Sequence, residues 1–218
     1  MGPTGTYLPP TNKRVDFVLS TVAHWVDGLL TEEYLFFDTT TMGRQLGFVE
    51  ATGPFPRPIE VGDAPTTNRP GSTEHVAENR RRMKESDDAF NARKLDARSL
   101  GYADDLVAHI VGGDPMDLAG YLQDVQRILT AFPDLHVHNE PYHAILGEGD
   151  STSTVAEWTG TQTGPLASPQ GMEMPTVPPT NKSISVKINT FARWRNGEID
   201  RLIVFFDFPG VMRQLGLA

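Results

Sequence analysis

Residues 183–207 read SISVKINTFARWRNGEIDRLIVFFD. Two β-rich runs, Ser183 to Arg195 and Glu198 to Asp207, flank the dipeptide Asn196-Gly197. Asn-Gly between apolar runs signals a hairpin, because a type I′ turn needs positive φ at both central residues. Just beyond, Asp207 precedes Pro209 and a helix-like stretch that ends in Leu215-Gly216. That is the order of an N-cap, an early proline and a C-terminal glycine.

The same unit occurs earlier. Residues 14–38 read RVDFVLSTVAHWVDGLLTEEYLFFD, with Asp27-Gly28 as the turn. The two stretches align without a gap at an offset of 169 residues, from Pro9 and Pro178 to Gly47 and Gly216, and 16 of the 39 aligned positions are identical. Such self-similarity predicts an internal duplication. Only the second copy has more sequence of its own in front. Residues 49–74 are rich in proline, glycine and threonine and read as a linker. A polar helical stretch is expected from about Val76 to Leu95, then a shorter segment from Leu100 to His109. Asp114-Pro115 then opens an amphipathic helix with Leu118, Tyr121, Leu122, Val125, Ile128, Leu129 and Phe132 on one face. Two strands follow, about Leu135 to Leu146 and Ser151 to Gln162, around Gly147-Glu148-Gly149-Asp150. Helices first and a curved antiparallel sheet afterwards predict an α+β domain over residues 75–218, with a partial copy at 1–48. A hairpin such as residues 13–38 is at best marginally stable alone. It must dock on the main domain, extend a sheet edge, or pair with another chain.

Composition narrows the function classes. A formal net charge of −9 argues against a nucleic-acid partner. The basic cluster Arg80-Arg81-Arg82 with Lys84 lies among Glu78, Glu85, Asp87 and Asp88 and reads as a solvated helix face. The chain has no cysteine, which excludes disulfides, thiol nucleophiles and thiolate metal sites. No apolar run approaches the roughly 20 residues of a membrane span. The first residues show no basic cluster followed by an apolar stretch, so a signal peptide is not expected and the cytoplasm is the expected location.

The ordered set of features carries a family pattern. It comprises the amphipathic helix, Phe132-Pro133-Asp134-Leu135, the turn Gly149-Asp150, and Trp158-Thr159-Gly160-Thr161-Gln162-Thr163-Gly164-Pro165-Leu166. It continues with Pro178-Pro179-Thr180, the hairpin ending Phe206-Asp207, and Leu215-Gly216. This resembles the SnoaL-like polyketide cyclase or ester cyclase family, within the fold of nuclear transport factor 2. The resemblance implies a cone, a bent sheet wrapped around a long helix, commonly dimeric or of higher order. It also implies acid–base chemistry without a cofactor on a hydrophobic, polyketide-like molecule. In the true cyclases an aspartate late in the second hairpin strand drives an intramolecular aldol closure, helped by a histidine and a glutamine on the preceding strand. Those positions here are Val204, Thr190 and Ile188, and in the partial copy Leu35, Thr21 and Leu19. Aliphatic side chains cannot take up a proton and threonine is a poor base, so that mechanism is disfavoured.

Strand alternation puts Leu202, Val204 and Phe206 on one face of the hairpin, with Ile188, Thr190, Ala192 and Trp194 beside them. This plain apolar lining suits an aromatic or terpenoid ligand, and would equally suit a closed core. Trp158 and Gln162 share a strand face and could orient a ligand. His109 is the candidate acid or base if catalysis has moved, with Asp207 second, although an N-cap role explains Asp207 without chemistry. His136 and His138, at i and i+2 on one strand face, with His143 further along, read as exposed sheet surface more readily than as metal ligands. No metal or other cofactor is expected. Three readings stay open: a cyclase or isomerase, a noncatalytic binding protein, and an assembly module whose cone is filled by its own side chains.

Overall fold

A computed structural model describes residues 9–48, 74–167 and 175–217. The N-terminal segment forms strands β1 (Leu19–Val26) and β2 (Leu29–Phe37) and helix α1 (Thr39–Leu46). Helices α2 (Glu74–Asn91) and α3 (Ala97–Leu100) follow, then strands β3 (Tyr102–Ile110) and β4 (Met116–Asp117) and helix α4 (Leu118–Ala131). The remaining elements are β5 (His136–His138), β6 (Ala144–Glu148), β7 (Ser151–Thr161), β8 (Ser183–Arg195), β9 (Glu198–Phe206) and helix α5 (Phe208–Leu215). The linker expected at 49–74 lies outside the described residues, except that Glu74 begins α2. Among the described residues, no helix is long and apolar enough to cross a membrane.

The main sheet has the order β4-β3-β9-β8-β7-β5, with β6 also paired to β7. The architecture is α+β, but the sheet is mixed where an antiparallel one was expected, because β3 runs parallel to β9. The cause is non-local: β3 precedes α4 in sequence and reaches β9 only across the finished domain. Its register with β9 shifts between Tyr102 and Val107, and that irregularity blurs the period-2 signal. Likewise, the single strand expected from Leu135 to Leu146 is two strands, separated around Pro141, which has no N–H to give a ladder. Helix α4 begins later than Asp114-Pro115 suggests, since Asp117 is the N-cap and accepts from Gly120 N at 2.8 Å.

Helices α2 and α4 cover the concave face of the sheet. On α2, Val76, Asn79, Met83, Ser86 and Phe90 are buried, the spacing of one helical stripe. On α4 the buried stripe is Tyr121, Asp124, Val125 and Leu129. The end of the cone nearest the β8–β9 turn is filled: Leu100, Leu106, Ile199 and Leu202 are each at most 2% exposed.

The hairpin β1–β2 repeats β8–β9 in detail. Leu19 faces Phe37 as Ile188 faces Phe206, and the register shifts at His24/Trp25 as it does at Arg193/Trp194. Asp27 and Asn196 both hold the positive φ that the turn requires. The hairpin forms its own two-stranded sheet and lies against the convex side of the main one. There Val22 is buried, the Tyr34 ring sits 5.9 Å from that of His143, and Ile203 and Phe205 of β9 are buried although they alternate with the inward Leu202, Val204 and Phe206.

Candidate ligand-binding site

The other end of the cone is not filled. A cavity of about 140 Å³ lies between α4 and the concave sheet face. Its wall takes Tyr121, Asp124, Val125, Arg127 and Ile128 from α4, Ile184, Val186 and Ile188 from β8, and Val204 and Phe206 from β9. Phe90 of α2 and Trp158 of β7, stacked with ring centroids 5.5 Å apart, line it as well. Phe208 and Val211 of α5 contribute, as do Leu166, Ala167, Pro175 and Val177 from the segment after β7. Asp114 and Pro175 are the wall residues most open to solvent, and the part-buried Thr40 and Gly113 accompany them, so the cavity opens there.

The polar groups of the wall are few and placed. Asp124, with a side chain only 5% exposed, accepts from Arg127 Nε at 2.7 Å. Arg127 Nη1 donates to the Ala167 carbonyl at 2.8 Å, which fixes the guanidinium against the segment after β7. A helical aspartate buried on an apolar face needs such a partner. Behind Tyr121 lies a second polar group of residues. The Tyr142 hydroxyl donates to Asp87 Oδ2 at 2.7 Å, and burial pushes the Asp87 carboxyl up to about 7. Burial also raises Tyr102 to about 12, and raises Tyr121, which is hydrogen-bonded to it.

The structure brings together four of the residues singled out in the sequence: Trp158, Ile188, Val204 and Phe206 all line the cavity. Four others do not. Leu202 and Trp194 face the same concave side but at its filled end, where Trp194 Nε1 donates to Thr152 Oγ1 at 2.9 Å. Thr190 stands between Val204 and Thr154 across the ladder and is outside the wall. Gln162 is fully buried and pins the base of the segment that does line the cavity. Its Nε2 donates to the carbonyls of Gly164 (3.2 Å) and Pro178 (3.1 Å), and its Oε1 accepts from Thr180 N (3.2 Å) and Oγ1 (2.7 Å). Replacing it with alanine is expected to cost about 3 kcal/mol by stranding these groups. Urea unfolding measures this, and a loss below about 1 kcal/mol would show that the segment does not depend on Gln162. Nearby Gly164 permits close approach to α4, since a β-carbon there would collide with the Thr130 carbonyl.

His109 and Asp207 sit elsewhere. On β3, His109 takes the register of Ile203, so it points to the convex side, while its neighbours Ala108 and Ile110 pair with Leu202 and Val204. It is buried there, and desolvation lowers its pKa against a hydrogen bond to the Gly113 backbone and the charge of Asp38. Asp207 is an exposed N-cap that accepts from Gly210 N at 2.9 Å. Its counterpart Asp38 caps α1 through Thr41 N at 2.8 Å and also accepts from Gly112 N at 2.8 Å. The N-terminal segment is thereby tethered to the turn at the cavity mouth, where Thr40 joins the wall. His136 and His138 are exposed, and among the described residues no three His, Asp or Glu side chains are grouped to hold a metal.

Sequence reading missed Asp124. The signal was its place three residues after Tyr121 and four before Ile128, on the apolar stripe, with an arginine three residues on.

A family model described as SnoaL-like polyketide cyclase matches residues 80–215. Similar solved structures include a candidate SnoaL-like polyketide cyclase from Jannaschia sp. CCS1, with 18% identity and a TM-score of 0.57, covering 70% of this chain and 99% of that one. AclR, a candidate hydroxylase from Streptomyces galilaeus, has 21% identity and a TM-score of 0.53 and covers 66% and 87%. IdmH, a candidate polyketide cyclase from Streptomyces antibioticus, has 25% identity and a TM-score of 0.51 and covers 63% and 98%. The first two likenesses are likenesses of fold. No protein of curated description matches the sequence.

Proposed function

Because this chain belongs to the SnoaL-like polyketide cyclase family, we propose that residues 75–218 bind a hydrophobic, polyketide-like molecule in the cavity and perform cofactor-free cyclase or isomerase chemistry on it, with residues 1–48 a partial copy of the domain. The observation that carries this reading is the Asp124–Arg127 pair set in a wall that is apolar apart from Tyr121 and, at the mouth, Thr40 and Asp114. With Val204 where the family's aspartate belongs, Asp124 is the carboxylate placed to act instead. Its free oxygen takes a proton from a carbon next to a ligand carbonyl. The electron pair moves into the enolate, whose oxygen the Arg127 guanidinium stabilises. The enolate carbon then attacks a second carbonyl carbon, a carbon–carbon bond forms, and the resulting alkoxide takes the proton back from Asp124. No oxidant or reductant enters this balance.

The cavity volume limits what enters. About 140 Å³ is close to the space that holds one benzene-sized ligand. One ring of a larger ligand would sit inside, with the rest at the mouth beside Thr40 and Asp114.

The experiment is a titration with 1-aminoanthracene, a fluorescent aromatic probe, followed by competition with aromatic polyketides. Val204→Trp fills the cavity and is expected to weaken probe binding at least about tenfold, one hydrophobic contact region's worth. Equal affinity in the variant would move the ligand site away from this cavity. A second reading, noncatalytic binding, is favoured by the aliphatic residues at Ile188 and Val204, and it predicts binding without proton transfer.

A further inference from the structure

The hairpin β1–β2 turns to solvent the face that β8–β9 buries. In β8–β9 that face carries Ile188, Trp194, Ile199, Val204 and Phe206, all packed toward α2 and α4 or the cavity. The equivalent residues of the partial copy are Leu19, Trp25, Leu30, Leu35 and Phe37, which are 55%, 61%, 45%, 54% and 39% exposed. Of the twelve exposed large apolar residues among those described, nine lie between Val15 and Phe48. The opposite face of the hairpin is already engaged on the convex side of the main sheet, so this one is not needed to hold it in place.

We propose that this face is a homotypic docking surface, on which two copies of the chain pack hairpin to hairpin about a two-fold axis. Three observations select a second copy as the occupant. The first is charge. The chain carries a net −9, which disfavours self-association in general, yet this face bears only Glu33, whose carboxylate accepts from Thr21 Oγ1 at 2.8 Å. Two such faces meet with little repulsion. The second is form: the hairpin presents a two-stranded apolar face whose register repeats that of β8–β9, and apolar sheet faces pack on one another about 10 Å apart. The third is extent. Side chains of this number and exposure make a patch on the order of several hundred Å², the size that marks an interaction site and approaches the roughly 800 Å² per partner of a stable interface. The same patch on both copies closes the assembly at two.

The test uses the full chain. Sedimentation from low micromolar to about 100 µM is expected to show a concentration-dependent dimer. The triple variant Trp25→Glu, Leu30→Glu, Leu35→Glu is expected to stay monomeric with unchanged circular dichroism, and to lose the rise of melting temperature with concentration that the wild type shows. Because the chain has no cysteine, Thr21→Cys, at the centre of the face, should cross-link to a dimer with a short bis-maleimide, whereas Gln123→Cys on α4 should not. A wild-type monomer across the range overturns the proposal, as does a dimer that survives the triple variant or cross-links only through Gln123→Cys. A monomer in which the Trp25 emission is that of a shielded indole also overturns it, and assigns the cover to residues 49–73 of the same chain.

Discussion

Asp87→Asn is expected to raise the stability of the protein by about 2 to 4 kcal/mol at pH 8 while changing it little at pH 4. Burial lifts the carboxyl from 3.8 to about 7, so the folded state favours the protonated form. Below pH 4 both folded and unfolded chains hold the proton, and the contribution of this group to stability is complete. Between about 4 and 7 the unfolded chain releases the proton and the folded one keeps it, so stability falls. Above 7 the folded protein carries a desolvated charge, to which the Tyr142 hydroxyl donates. Asparagine accepts the same hydrogen bond without the charge. Exposed acids act in the opposite sense: Glu78, for one, is held down to about 2 by hydrogen bonds from Arg81 and then Arg82. They are common to both proteins and cancel in the difference. Thermal unfolding of the two proteins from pH 4 to pH 8 provides the check, with melting temperatures expected to diverge by on the order of 10 °C at the alkaline end. A difference that does not change with pH would mean that the Asp87 carboxyl ionises normally.

Asp124→Asn is expected to lower turnover by a factor of about 10² to 10⁴, the range for removing a general base, while 1-aminoanthracene affinity stays within a few-fold. A direct readout is deuterium exchange at the carbon next to the carbonyl of 2-tetralone, an apolar aromatic ketone of suitable size. Exchange catalysed by the wild type and lost in the variant supports the assigned role. Exchange of equal rate in both removes Asp124 from the chemistry, and none in the wild type leaves only the binding reading. Asp124→Ala should differ from Asn in stability, since it strands the Arg127 guanidinium, whose side chain is 16% exposed, at a cost of about 3 kcal/mol.

Much of the fold was legible because its signals are local. Asn196-Gly197 and Asp27-Gly28 mark hairpin turns within four residues, and the stripe from Leu118 to Phe132 marks α4 within one helix. The parallel pairing of β3 with β9 was not legible, since its partners lie more than ninety residues apart and no short-range pattern encodes who meets whom. The placement of His109 failed for the same reason: its face is set by its registration opposite Ile203. Alternation did identify the concave side of β8 and β9. It could not say where along that side the helices stop filling space, which separates Val204 in the cavity wall from Leu202 in the packed end. Asp124 was overlooked because a carboxylate in an otherwise apolar stripe reads as a helix interruption until a buried partner is considered.

The bond from Gly112 N to Asp38 has a thermodynamic consequence. It joins the hairpin segment to the turn bounding the cavity mouth, so the two regions share one free-energy term. If occupancy of the cavity weakens that bond and loosens the hairpin by some factor, whatever engages the hairpin must change the affinity for the ligand by the same factor. Such reciprocity would make ligand affinity depend on protein concentration, and would make Asp38→Ala the substitution that uncouples the two.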